Sequence, residues 1–119
     1  YLAVDDAVDD RSPIGGVVMH WHPDESEILY IAIDEKHRGR GYGKACIEQI
    51  KEEARQRQVD ALIVGTANSS LDNIAFYQKC GFRMESIRKD YFDYLPAPVY
   101  EDGILIRDML VLRLELKQV

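Results

Sequence analysis

From Arg38 to Gly43 the chain reads Arg-Gly-Arg-Gly-Tyr-Gly, three alternating glycines with Lys44 directly behind them. Glycine lets a backbone turn tightly and bring unpaired N–H groups close to a ligand. The residues that follow take up a helical period, so the loop runs into a helix start. N–H donors and the positive end of the dipole favour an anion there. His37, Arg38, Arg40 and Lys44 surround the same concavity with positive charge. The chemistry expected is the cradling of a phosphate or pyrophosphate; the alternative is a flexible connection that happens to be basic. Two phosphate patterns fail on spacing. A nucleoside-triphosphate loop needs Ser or Thr after its lysine, and Ala45 follows Lys44. The dinucleotide pattern needs its third glycine one residue later and an acid ending the next strand, where this chain has Gly65-Thr66.

Other side chains stand out by their company. Asp108 interrupts the apolar even positions of Ile104 to Leu116, so its carboxylate must be hydrogen-bonded or less acidic than usual. It could be tied to an Arg or Tyr, bind substrate, take up a proton, or swing to solvent on a bulge. Tyr91, Phe92 and Tyr94 stand with Asp90 and Asp93 in an aromatic-acidic cluster. The cluster reads either as a wall for a cationic ligand or as strand aromatics packed on a sheet. Trp21 and Tyr30 are candidates for the same wall. Cys46 and Cys80 have no partner base or metal-ligand spacing and read as small apolar residues of a reduced protein. His20 and His22 share a strand face without a third ligand, so no metal is expected.

The elements that must position these groups follow from periodicity. Tyr1–Val4 and Ile14–Trp21 form an expected hairpin across the acidic connection Asp5–Ser12. After the turn His22–Ser26, Glu27–Ile33 is apolar on both faces, as a central strand would be. Tyr42, Cys46, Ile47, Ile50 and Ala54 make one helix face. Val59–Val64 is the next buried strand, closing a right-handed β-α-β unit. Ser69 and Asp72 have capping-box spacing. A short helix from Ser70 to Lys79 is expected to bury Leu71, Ile74 and Ala75, with Gly81 as its left-handed cap. Beyond the Pro96-Ala-Pro98 break and the Glu101-Asp-Gly turn, Ile104–Leu116 is the longest strand.

At 119 residues, 46 % of them hydrophobic, residues 1–119 form a single folded domain. Fifteen basic against twenty-one acidic side chains give a formal charge of −6, which argues against nucleic-acid binding. No apolar run approaches membrane-spanning length and no signal peptide leads the chain, so a cytoplasmic location without membrane association is expected.

The spacing of Arg38, Gly41 and Gly43 resembles the acyl-CoA signature of the GCN5-related N-acetyltransferase (GNAT) superfamily. The segment Asn68–Phe82, ending Ala-Phe-Tyr-Gln-Lys-Cys-Gly-Phe, is similar to the helix and turn that follow one strand later. Gly65-Thr-Ala-Asn-Ser-Ser and Ile106-Arg-Asp-Met109 further resemble a bacterial subgroup of small acetyltransferases. The resemblance implies an α/β fold of the acyl-CoA N-acyltransferase type. Its sheet is mixed and mostly antiparallel, with a splayed parallel strand pair flanked by helices. It also implies that an N-terminal strand and helices are missing from this chain.

By the same resemblance, acetyl-CoA is the cofactor, held by Arg38, Gly39, Arg40, Gly41, Tyr42, Gly43 and Lys44. Backbone around Ile31 and Ile33, together with Asn68 and Tyr77, completes that set. The implied activity is acetyl transfer to a primary amine, small molecule or peptide, by direct attack in a ternary complex. Tyr77 would protonate the leaving thiolate, Glu27 would draw the amine proton through water, and Asp108 is the second candidate acid. The glutamate many relatives carry near the end of the next strand is absent at Val64-Gly65-Thr66. Trp21, Tyr30, Tyr91, Phe92 and Tyr94 would line the acceptor cleft. Homodimers are common in the superfamily, and the long C-terminal strand is the expected place for two copies to pair. The alternative function is a CoA-binding sensor without turnover.

Overall fold

The computed structural model describes residues 2–4, 13–33 and 41–117, with backbone alone at 2–4, 13–15, 30, 32 and 33. The chain divides into two compact units: Tyr1–Leu62 with Leu116–Val119, and Ile63–Glu115. Its strands are mostly antiparallel with one parallel pair, the α/β arrangement expected.

In the first unit β1 (Leu2–Val4), β2 (Pro13–His20) and β3 (Glu25–Ile33) follow one another in antiparallel register, with β4 (Ala61–Ala67) next to β3 in the strand order. The expected hairpin and central strand are therefore present. Ser26 is buried and locks the turn before β3: its hydroxyl donates to the His22 carbonyl and accepts the His22 N–H, both at 2.9 Å. β3 is not apolar-buried on both faces, because Leu29 is 54 % exposed.

Helix α1 (Tyr42–Gln56) buries Cys46, Ile47, Ile50 and Ala54, the face that the sequence period marks. It ends in a Schellman turn, with Gln58 N–H on Arg55 O and Val59 N–H on Ala54 O. Gln58 takes the left-handed position at φ 59, a place no glycine announces. This turn holds Val59 to the helix end, so β4 starts at Ala61 rather than Val59 and runs on to Ala67.

The second unit takes β4 on from Ile63, and its strand order is β4-β8-β5. Helix α2 (Leu71–Lys79) has Ser70 as N-cap and ends in its own Schellman turn: Gly81 lies at φ 100, with Gly81 N–H on Gln78 O and Phe82 N–H on Tyr77 O. The left-handed cap expected at Gly81 is observed. The buried face is a different one. Leu71 and Ala75 are exposed, Ile74 is half-buried, and Tyr77 and Cys80 point inward. The closing turn docks Phe82 edge-on to Tyr77, ring centroids 5.7 Å apart, and that contact sets the helix rotation.

β5 (Arg83–Arg88) pairs antiparallel with β8 (Met109–Glu115). β6 (Tyr100–Glu101) and β7 (Ile104–Leu105) form a hairpin across Asp102-Gly103. Both loop residues have positive φ, 51° and 80°, as a tight two-residue hairpin requires. The strand expected from Ile104 to Leu116 is thus broken at Ile106–Asp108. Within its unit β8 lies between β4 and β5 and buries Val111 as well as Leu112. It offers no edge for pairing two copies; β5 is the edge strand of this unit.

Candidate functional site

His37, Arg38, Gly39 and Arg40 lie outside the described residues, as do the side chains of Tyr30 and Ile33. The loop comes into view at Gly41, the N-cap of α1, at φ 80 and ψ 6. Only glycine adopts this left-handed conformation without strain. A Cβ built on Gly41 would meet nothing within 4 Å, so the cap faces open space. No side chain caps this helix start and no acid stands in its first turn. The first helical bond, Ala45 N–H to Gly41 O at 3.1 Å, leaves the preceding amides without intrahelical acceptors. Lys44 is exposed beside them.

In β3 the ladder to β2 carries a bulge. Val18 pairs with Tyr30 and Met19 with Ile28, so Leu29 opposes no residue of β2. A bulge interrupts pairing and re-aims backbone groups, and this one sits two residues before Ile31. Sequence periodicity gave no sign of it. One step beyond, Glu27 pairs in register with His20. Glu27 is half-buried and makes no ion pair or side-chain hydrogen bond among the described residues.

In the second unit Tyr77 is the buried residue of α2, only 5 % exposed. Its ring sits edge-on to Phe76 and Phe82. Burial, with a smaller contribution from Cys80, pushes its phenol up to about 12. Among the described residues the hydroxyl has no hydrogen-bond partner. A buried polar group in that condition calls for an explanation. Gly65 in β4 faces Met109 of β8, and a Cβ there would lie 2.5 Å from the Met109 sulfur. Close packing against Met109 accounts for the glycine at this position.

The remaining expected residues have neighbours the sequence did not reveal. The Arg57 guanidinium lies 4.2 Å from the centroid of the Trp21 ring. Arg57 is the C-cap of α1, and the helical rise puts it about 24 Å from the N-cap Gly41. Trp21 therefore already has a cation on its ring, at the helix end remote from the glycine loop. Among the described residues Asp108 is tied to neither Arg nor Tyr; its Oδ1 accepts the Asp90 N–H at 2.9 Å. Tyr91, Phe92 and Tyr94 form a triangle with centroids 5.1, 6.1 and 6.4 Å apart. Those spacings leave no room for a cation between the rings, since each would need about 4–6 Å of clearance to it. They pack on one another and present their outer faces, with Tyr94 70 % exposed.

Asn68 does not face outward for a ligand: its carboxamide is taken up by the backbone of Leu105, Arg107 and Asp108. Ser69 and Ser70 both donate to Glu101 Oε1 at 2.8 Å, so Ser69 makes no capping box with Asp72. Partners more than thirty residues away leave no local sequence signal. Cys46 is buried, and burial raises its thiol pKa, in keeping with a packing role. Among the described residues no group of His, Cys, Asp or Glu could hold a metal ion.

The profile of the acetyltransferase (GNAT) family matches residues 1–82. The chain belongs to that family. It is 37 % identical over 101 residues to the uncharacterized N-acetyltransferase YvbK of Bacillus subtilis (strain 168), covering 84 % of this chain and 65 % of that protein. The chain thus spans about two-thirds of the length of this relative. A GNAT acetyltransferase from Elizabethkingia anophelis with acetyl-CoA bound superposes with a TM-score of 0.84 at 37 % identity, over 90 % of this chain and 71 % of the other. A Bacillus subtilis acetyltransferase in complex with CoA gives 0.85 at 35 %, over 92 % and 73 %. No helix of the described residues is long and apolar enough to cross a membrane.

Proposed function

We propose that this chain transfers an acetyl group from acetyl-CoA to a primary amine. The observation that carries the reading is the Tyr77 hydroxyl, buried without a partner among the described residues, in a family with members solved bound to acetyl-CoA and to CoA. The cofactor fits what is present. Open space at Gly41 suits a pyrophosphate on the amides of Tyr42, Gly43 and Lys44, with Arg38, Gly39 and Arg40 completing the loop. When bound, acetyl-CoA supplies an acetyl group activated as a thioester.

The protein's part is to hold, polarise and move protons. The bulge at Leu29 supports a role for backbone N–H near Ile31 and Ile33 as donors to the thioester oxygen. Glu27 makes no ion pair among the described residues and would take the proton of the attacking amine through water. Tyr77 meets the charge developing on sulfur. A phenol with a pKa of about 12 holds its proton more tightly than a thiol of ordinary pKa, about 8.5. Tyr77 therefore acts first as a strong hydrogen-bond donor. Full transfer requires a thiolate made more basic by the same burial.

Tyr91, Phe92 and Tyr94, with an acidic chain around them, support a cationic acceptor, small molecule or peptide. The test is an amine panel incubated with acetyl-CoA, read by mass spectrometry and CoA release. Acetylated amine with matching CoA is expected. CoA binding without release for any amine would instead identify a sensor.

A further inference from the structure

The segment from Lys89 to Asp108 leaves β5 and returns to β8 after carrying the aromatic turn and the β6–β7 hairpin. Such an excursion has few apolar anchors: most of its residues are exposed. Side chains from the junction of β4 and α2 hold it instead. Asn68 Nδ2 donates to Leu105 O at 3.0 Å, while Oδ1 accepts from Arg107 N–H at 2.9 Å and Asp108 N–H at 3.0 Å. The Asn68 N–H donates to Asp108 O at 2.9 Å. This one residue thus carries four bonds to residues 105–108, three of them to the strap Ile106–Asp108 and one to the end of β7, and replaces the ladder a continuous strand would have had.

The strap in turn holds the aromatic turn. Arg107 O accepts the Phe92 N–H at 3.1 Å, and Asp108 Oδ1 accepts that of Asp90. Asp90 is left-handed at φ 59, a strained conformation for a residue with a side chain, and the carboxylate bond offsets that strain. The excursion carries Lys89 and Arg107 against Asp90, Asp93, Glu101, Asp102 and Asp108. Its field favours a cation, and the exposed outer faces of Tyr91 and Tyr94 suit an alkylammonium group.

We infer that Asn68 is a positioning residue for amine recognition, holding the Ile106–Asp108 strap so that the Asp90–Tyr94 turn keeps the shape that selects the acceptor. This rests on the acetyltransferase reading. It gives Asn68 a role on the acceptor side, where the family resemblance alone had assigned it to the cofactor.

The experiment is steady-state kinetics on the whole chain with the best acceptor of the amine panel, joined to amide hydrogen exchange. Asn68→Ala should raise KM for the amine at least tenfold while kcat and the acetyl-CoA Kd stay within threefold. Exchange at Asp90, Phe92, Arg107 and Asp108 should quicken by tenfold or more. Asp108→Ala should act in the same direction more weakly, and it keeps the test open if Asn68→Ala folds poorly. Asp108→Asn should restore the wild-type KM, because an amide oxygen can still accept the Asp90 N–H. A tenfold loss of acetyl-CoA affinity in Asn68→Ala with an unmoved amine KM would overturn the inference and make Asn68 a cofactor ligand. Loss of kcat in Asp108→Asn would overturn it too, by showing that the carboxylate's charge is what matters. Wild-type protein that acetylates no amine would remove the acetyltransferase reading, and with it the recognition role, whether or not the strap amides respond to Asn68.

Discussion

The two helices of this chain begin in opposite ways. Helix α1 starts at a left-handed glycine, with no capping side chain, no acid in its first turn and open space before it. Helix α2 starts at Ser70 with Asp72 in its first turn, and Ser69 and Ser70 hold the Glu101 carboxylate beside it. Both expose the same unsatisfied amides and the same positive dipole end. At α2 carboxylates from the chain itself already stand against that charge. At α1 none of the described residues does, and under the acetyltransferase reading that start would take its anion from the cofactor. An anion site is thus recognised by what the fold omits as much as by what it provides.

If α1 holds the cofactor and α2 presents the chemistry, damage to each should separate cleanly. Tyr77→Phe keeps the ring and removes only the hydroxyl. The single-turnover rate should fall roughly ten- to a thousand-fold, with acetyl-CoA affinity and Tm little changed. An undiminished rate would take the chemistry away from α2. The same variant has a second readout. The folded phenol titrates at about 12 against about 10 unfolded, so its contribution to stability is complete below pH 10 and lost as pH rises through 12. Tyr77→Phe should abolish that slope in alkaline denaturation curves.

Gly41→Val should do the reverse, weakening acetyl-CoA binding at least tenfold by calorimetry while sparing the rate at saturation. The left-handed φ adds a stability cost of about 1–2 kcal/mol, which melting would report separately. Binding at wild-type strength in the folded variant would remove the loop at α1 as the cofactor site. Glu27→Gln touches neither helix start and should lower the rate most below the pH at which the acceptor amine loses its own proton, with partial recovery above it. Superimposable pH–rate profiles would exclude Glu27 as the base. The smallest effect is expected at the filled helix start: Ser70→Ala should cost about 1 kcal/mol, with unchanged acetyl-CoA affinity. A change in cofactor binding there would erase the contrast between the two helices.

The features legible in sequence are those set by neighbours in the chain. The buried stripe of α1, the Gly81 cap and the Asp102-Gly103 hairpin all follow from period and turn chemistry within a few residues. The Schellman turn at Gln58 escaped because a glutamine fills the position glycine usually marks. The inward face of α2 is hidden from the sequence for a related reason. Leu71 and Ala75 are apolar, but the contact of Tyr77 with Phe82 turns them to solvent. The bulge at Leu29 belongs to the register between two strands, and neither strand alone contains it.

By itself, then, the sequence determined the order of elements as far as Gly81, a helix directly behind the glycine loop and the family whose spacing that loop shares. It did so because glycine, charge and hydrophobic period act over one or two turns of chain. Tertiary structure alone decided that the Tyr77 hydroxyl would be buried with no partner among the described residues. It also decided that Asn68 would bond to residues 105–108 and that Asp108 would cap a strained turn instead of lining a leucine face. Each of these depends on groups eighteen or more residues apart, or on how a helix rotates about its axis. Long-range hydrogen bonds and close packing choose among the orientations that local preference leaves nearly equal in energy.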